Sequence, residues 1–233
     1  MNTQIINGKD IAASLREDIK ADVASLDYQP GLAVILVGDD PASQVYVGNK
    51  IRACEKVGIK SFESKLPAGA SQAEVMAEIQ AFNHNKEVHG ILLQLPVPAH
   101  LDSNALIQAI DPRKDVDGLT YNNVGKLVSG EDGLVPCTPQ GYLKLIKTAR
   151  EDLSGLNAVV IGRSLLFGKP MGQLLLSENC TVTQAHSRTQ NLQKLCQNCT
   201  HKGFSTVSTN CCDEVIHRLP FLICSTTKLY QLI

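Results

Sequence analysis

The sequence predicts an α/β protein of two domains with mainly parallel sheets. Apolar strand runs such as Leu32–Val37 and Gly90–Leu93 alternate with amphipathic helical stretches through the first half of the chain, the signature of strands joined by crossover helices. A second strand–turn–helix series opens near Leu156, after Tyr121–Pro136, which has little apolar periodicity and reads as the junction between domains. Polar groups stand at the carboxyl ends of apolar strands in both halves, where open α/β sheets bind ligands.

A first helix is expected over Lys9–Ser25, where Ile11, Leu15, Ile19 and Val23 recur every four residues. The buried strand Leu32–Val37 follows, then a turn at Gly38–Pro41 and a helix to about Val57. A strand at Ser61–Leu66 comes next. Ser71 followed by Glu74 is a capping-box signature for a helix to about Phe82. The strand from Gly90 ends before Pro96, and a helix is expected near Asn104–Ile110. Beyond the junction, Thr138–Pro139 caps a helix to about Arg150, and the strand Leu156–Ile161 meets a glycine turn. Pro170, tolerated at a first helical position, enters the next helix, followed by a short strand Thr181–Thr183.

Bulk properties narrow the function classes. At 233 residues with 43% hydrophobic residues, the chain can bury one large core or two modest ones. A net charge of −1 argues against nucleic acid or a membrane surface as partner. No apolar run approaches the ~18 residues of a membrane span, and the start lacks the basic-then-apolar pattern of a signal peptide. Cys54, Cys137 and Cys180 are scattered without a disulfide framework, so a reducing, cytoplasmic compartment is expected.

Gly90-Ile-Leu-Leu-Gln94-Leu-Pro96 is a buried strand whose last turn carries an amide, and a buried amide without partners costs about 1–3 kcal/mol. Arg113-Lys-Asp115-Val-Asp117-Gly118 places two carboxylates on a turn. Tyr46 and Lys50, four apart, share one face of the helix that follows the first strand. Tyr46, Lys50, Gln94 and Asp117 could therefore meet in one cleft. Taken singly, each admits a plainer reading, as a surface helix pair, a capped strand or a solvated turn.

Gly162-Arg163-Ser164 with Gly168-Lys-Pro170 sits between strand and helix, a geometry that aims backbone N–H groups and the positive helix end at a phosphate. The full Gly-x-Gly-x-x-Gly fingerprint is absent. A P-loop fits poorly, because five residues separate the two glycines and Pro170 stands where Ser or Thr is needed. The next strand leads to His186-Ser187-Arg188-Thr189, with no acid between Gln184 and Gln190. Where a dinucleotide's adenine ribose is read, an acid selects NAD and a basic group accepts the extra phosphate of NADP. Arg163 and Arg188 favour NADP, an ordinary basic loop being the alternative for Arg188.

These segments resemble the bifunctional methylenetetrahydrofolate dehydrogenase/methenyltetrahydrofolate cyclohydrolase family. The resemblance rests on Ser43-x-x-Tyr46-Val-x-x-Lys50, Gly90–Pro96, Lys114-Asp-Val-Asp-Gly-Leu119, Pro136-Cys-Thr-Pro139 and Gly162-Arg-Ser164 with Gly168-x-Pro170, and runs from about Ile6 to Gln197. It implies a folate-binding catalytic domain over residues 1–120, a partial Rossmann-like NADP-binding domain over 121–197, and an active site in the cleft between them. By the same resemblance the reaction is NADP-dependent oxidation of methylenetetrahydrofolate, then hydrolysis to formyltetrahydrofolate, within one-carbon metabolism, by a homodimer. Lys50 would handle the proton, Gln94 would orient it, Tyr46 would contact the folate, and Asp117 would accept from the amino-pyrimidine edge of the pterin. Asp115 would support the turn. Gly162, Arg163, Ser164, Ser187 and Arg188 would hold the cofactor, and no metal is implied. A short-chain reductase built on Tyr46 and Lys50 fits poorly, because its glycine turn would have to precede that pair.

The last segment, 198–233, does not resemble the family and is expected to be irregular. Five of the eight cysteines, Cys196, Cys199, Cys211, Cys212 and Cys224, fall at this end without a linker, a composition that reads as an out-of-frame end. Cys196-x-x-Cys199 with His201, Cys211 and Cys212 offers a zinc reading, but no second clean pair completes it. A non-catalytic remnant that keeps folate binding alone is the alternative to an active enzyme.

Overall fold

The computed structural model describes residues 6–200, 206–208 and 222–224. The chain parts into two compact units, one built on Lys9–Lys126 and one beginning at Pro136, with Leu127–Val135 divided between them.

In the first unit, α1 (Gly8–Ser25) turns Ile11, Leu15, Ile19 and Val23 inward as half-buried residues and leaves most of its other positions exposed. Strand β1 (Gly31–Val37) lies between β2 (Lys60–Leu66) and β3 (Gly90–Leu93), all parallel. Helices α2 (Pro41–Val57), α3 (Gln72–His84) and α4 (Ser103–Gln108) cover the sheet. Strand alternation assigns the faces. Ala33, Ile35, Val37, Ile91 and Leu93 pack with Val75 and Ile79 of α3 and Leu106 of α4, whereas Val34, Leu36 and Leu92 pack with Val47 and Ile51 of α2. Local chemistry sets the helix ends. The Asp40 carboxylate accepts from the Ser43 amide at 2.8 Å and Pro41 opens α2, which ends at left-handed Gly58. The predicted Ser71/Glu74 capping box starts α3.

The stretch after α4 docks along β3. Asp115 forms a parallel bridge with Ile91, whose amide donates to the Lys114 carbonyl at 2.6 Å. Gly90 permits this approach, since a Cβ there would lie 2.5 Å from Val116 Cγ1. The Lys114 ammonium donates to three carbonyls at the end of α3, those of Phe82, Asn83 and Asn85, at 3.0, 2.8 and 2.8 Å. A cation there meets both the unpaired carbonyls and the negative end of the helix. Desolvation in this position holds the Lys114 pKa below the ordinary lysine value.

Helix α5 (Tyr121–Ser129) lies where sequence periodicity suggested a plain junction. Its most buried residue is a polar one, Asn123, with Val124 and Leu127 half-buried, while Tyr121 and Val128 are exposed at 66% and 61%. In the second unit α6 (Cys137–Ala149) starts without a side-chain cap, so Thr138 does not perform the capping expected of it. Strand β4 (Asn157–Ile161) pairs in parallel with β5 (Thr181–Ala185), two residues longer than its apolar run suggested. Helix α7 (Gly168–Ser177) begins two residues before Pro170, which still falls in the first turn, where its missing N–H costs nothing. Ala158 and Val160 pack under α6 and α7, and Val159 and Ala185 pack under α8 (Leu192–Thr200).

Two short strands lie within the segment expected to be irregular. β6 (Thr206–Ser208) pairs in parallel with β4, and β7 (Leu222–Cys224) pairs with β6, giving the order β5-β4-β6-β7. The free edge of β4 presents unpaired backbone groups that a three-residue segment of almost any sequence can satisfy. β7 sits at the edge of this order. The zinc reading involves His201, Cys211 and Cys212, which lie outside the described residues.

Lys114→Met keeps the length of the stem and deletes the ammonium. It is expected to destabilise the protein by about 2 kcal/mol, read as a lowered urea midpoint with an unchanged slope.

Candidate active site

Strand order reverses at β1, with β2 on one side and β3 on the other. The crevice outside the carboxyl ends of β1 and β3 is thus a topological switch point. Helix α2 begins immediately beyond β1 and carries Tyr46 and Lys50, both half-buried, in its first three turns. Gln94 follows β3 directly, its amide donating to the Ile35 carbonyl at 2.9 Å. Its side-chain Nε2 donates to the Leu95 carbonyl at 2.7 Å, while Oε1 is buried with no partner among the described residues. A buried acceptor held without a donor costs about 1–3 kcal/mol, so this oxygen is a ready acceptor for a ligand or a neighbouring cation.

Asp117 completes the group, and its proton affinity reports its surroundings. Desolvation raises its pKa above the ordinary carboxylate value, the charge of Lys50 opposes that rise, and Asp115 adds to it. Lys50 and Asp117 are therefore within electrostatic reach of each other, as the sequence suggested. A cavity of only about 10 Å³, lined by Asp115, Asp117, Ile91, Leu93, Ile110 and Leu119, lies beside the two carboxylates. It is at the lower bound for a single water, and its apolar walls account for the desolvation.

Asp115, 1% exposed, is tied into the fold. Its Oδ2 accepts from the Thr120 amide at 2.8 Å and from Asn123 Nδ2 at 3.0 Å, and its carbonyl accepts from the Gly118 amide at 3.0 Å. Asn123 Nδ2 also donates to the Pro112 carbonyl at 2.8 Å. Upstream, the Arg113 guanidinium grips Asp111 at 2.6 Å and holds its carboxyl at a pKa of about 2. Thr120 and Asn123 are the residues sequence reasoning missed. Thr-x-x-Asn at the start of α5 was the available signal, a hydroxyl placed to cap an N3 amide, and Thr120 Oγ1 accepts from the Asn123 amide at 3.4 Å.

The second unit carries the glycine turn. Gly162 has φ 141°, a backbone that side-chain-bearing residues avoid. A Cβ on Gly168 would collide with the Gly162 carbonyl group and lie 2.7 Å from the Arg163 amide nitrogen. Ser164 Oγ accepts from the Phe167 and Gly168 amides at 3.2 and 3.4 Å, so it closes the entry of α7 and keeps its own proton to donate. Phe167 is buried edge-on against Tyr142, 4.8 Å between ring centroids, and anchors the far side of the turn. Arg163 and Ser164, and likewise Ser187 and Arg188 beyond β5, are exposed. The His186 carbonyl accepts from the Thr189 amide at 2.8 Å, shaping the loop that presents Ser187 and Arg188. A tight glycine turn, a helix N-terminus and two exposed guanidinium groups suit a phosphorylated dinucleotide.

Polar groups at the switch point of one α/β unit, with a phosphate-type glycine turn in the other, mark the class of nucleotide-binding α/β proteins. Residues 6–117 match the catalytic domain of tetrahydrofolate dehydrogenase/cyclohydrolase, and residues 136–200 match its NAD(P)-binding domain. The bifunctional protein FolD of Cereibacter sphaeroides is 54% identical over 201 residues, covering 84% of this chain and 68% of that one. FolD 2 of Paracoccus denitrificans is 56% identical over 197 residues, covering 83% and 65%. Among solved structures, the Campylobacter jejuni FolD dehydrogenase/cyclohydrolase is 40% identical with a TM-score of 0.82, covering 88% of this chain and 73% of that one. The Trypanosoma brucei enzyme, solved with NADP and an inhibitor, is 31% identical with a TM-score of 0.82, covering 90% and 72%. The chain belongs to the tetrahydrofolate dehydrogenase/cyclohydrolase family, and spans about two thirds of the length of these FolD relatives. No helix among the described residues is long and apolar enough to cross a membrane.

Asp115→Ala leaves two buried donors, on Thr120 and Asn123, without an acceptor, and is expected to cost about 3 kcal/mol. Asp115→Asn, whose Oδ1 can still accept, should cost markedly less. Equal losses for both in a denaturant titration would show that charge, not hydrogen bonding, holds this turn.

Proposed function

We propose that this chain oxidises methylenetetrahydrofolate with NADP⁺ and hydrolyses the methenyl product to formyltetrahydrofolate. The observation that carries the reading is the charge of Lys50 acting on the desolvated carboxylate of Asp117, and the buried Gln94 Oε1, without a partner among the described residues, supports it. Asp117 faces the amino-pyrimidine edge of the pterin, a donor-rich surface matched to a carboxylate. Tyr46, one turn before Lys50, packs against or hydrogen-bonds the folate. NADP⁺ supplies the hydride acceptor, and Arg163, Ser164, Ser187 and Arg188 bind and orient it.

Hydrolysis needs a proton relay. Water adds to the methenyl carbon, and the resulting tetrahedral adduct must lose a proton from oxygen and gain one on the departing nitrogen. Lys50 handles this proton, and Gln94 Oε1, by accepting from the lysine, fixes where the amine points. The assembly that goes with this reading is a cytoplasmic homodimer.

An NADP⁺-dependent absorbance change with methylenetetrahydrofolate, measured on this chain, tests the reading directly.

Lys50→Met is expected to abolish methenyl hydrolysis while hydride transfer stays measurable. The two steps are followed separately in a spectrophotometer, and normal hydrolysis by the variant removes Lys50 from the reaction. Replacing Arg163 and Arg188 together with Ser should weaken NADP⁺ far more than NAD⁺. Each lost phosphate contact lowers affinity by about one to two orders of magnitude. An unchanged preference in a binding titration would leave the ribose phosphate without its proposed partners.

A further inference from the structure

Gly162 is held through both of its backbone polar groups by β5. Its N–H donates to the Ala185 carbonyl at 2.8 Å, and its carbonyl accepts from Gln184 Nε2 at 2.8 Å, across 22 residues of sequence. On the opposite flank, Gly168 packs so closely that a Cβ there would collide with the same carbonyl. The peptide that leads into Arg163 is thus fixed between a side-chain donor and the start of α7. Gln184 stands in the strand Thr-Val-Thr-Gln-Ala, where the β-branched run breaks. A Thr or Val would suit strand geometry better but could not span to Gly162. Its amide also reaches toward α7, with Oε1 3.7 Å from where a Cβ on Gly172 would stand.

We propose that Gln184 is a positioning residue for nucleotide binding: by donating to the Gly162 carbonyl it fixes the turn that presents Arg163 and Ser164 to the cofactor. This rests on the reading of that turn as the nucleotide site. Gln184 is exposed, so water competes for the carbonyl and the effect is modest. A neutral hydrogen bond of this kind changes affinity by about three- to tenfold. The turn serves both nucleotides, so the loss falls on NADP⁺ and NAD⁺ alike. Folate binding depends on the other unit and is untouched.

The test titrates the full chain with NADP⁺ and NAD⁺ by calorimetry, alongside Gln184→Met, which keeps the shape without a donor. Gln184→Glu, whose carboxylate repels the Gly162 oxygen, serves as the second variant. Thermal midpoints are recorded for all three. The expected result is that Gln184→Met binds both nucleotides about three- to tenfold more weakly, and Gln184→Glu at least as weakly, with midpoints unchanged. Where the chain turns over, KM for the nucleotide rises while kcat and the folate KM hold. Wild-type affinity in Gln184→Met overturns the inference, as does a loss matched by a fallen midpoint, which would mark the residue as merely structural. A wild-type chain that binds neither nucleotide overturns the underlying reading of the turn, and the inference with it.

Discussion

The carboxylate of Asp115 is the constraint on which the first unit's chemistry depends. A buried anion is tolerated only when its lone pairs are occupied by donors, and here the Thr120 amide and the Asn123 side chain supply them. Those two donors belong to the N-terminal end of α5, so one carboxylate joins the edge of β3 to the next helix. Asp117, two residues on, inherits its position from that junction. Its raised proton affinity has the same origin, because the apolar walls that seal Asp115 also desolvate its neighbour.

The second unit solves a different problem with small residues. The turn between β4 and α7 is too tight for side chains, and Gly162 and Gly168 form it by close mutual packing. Ser164 closes the helix entry with its lone pairs and Phe167 pins the turn to the core. The charged residues are left at the surface, free to meet a ligand from solvent.

Much of this was legible in the sequence, for physical reasons that differ by element. β1 and β3 are read directly because they are buried on both faces and spell continuous apolar runs. α3 is read from its cap, Ser71 with Glu74, and α2 from the turn Gly38–Pro41 that precedes it. Tyr46, Lys50, Gln94 and Asp117 were expected near one another because each follows or flanks a strand of one apparent sheet, and the structure puts Asp117 within the field of Lys50. α5 was hard to read because it is only nine residues long, its most buried residue is the polar Asn123, and only Val124 and Leu127 of its apolar set are partly buried. Gln184 escaped notice because its partner lies 22 residues away and depends on β5 running two residues further than its apolar run. β6 and β7 follow no periodic pattern, since a three-residue strand is specified by the edge it joins and not by its own side chains.

The three bonds from Lys114 to the end of α3 tie this helix to the segment that carries Asp117. A helix end and a turn joined in this way are expected to open together. Hydrogen exchange at the Thr120 amide and at the last turn of α3 should then be governed by one shared opening event, a single cooperative unit. The carboxylate of Asp117 thereby shares the anchoring of that helix, although it sits on a loop.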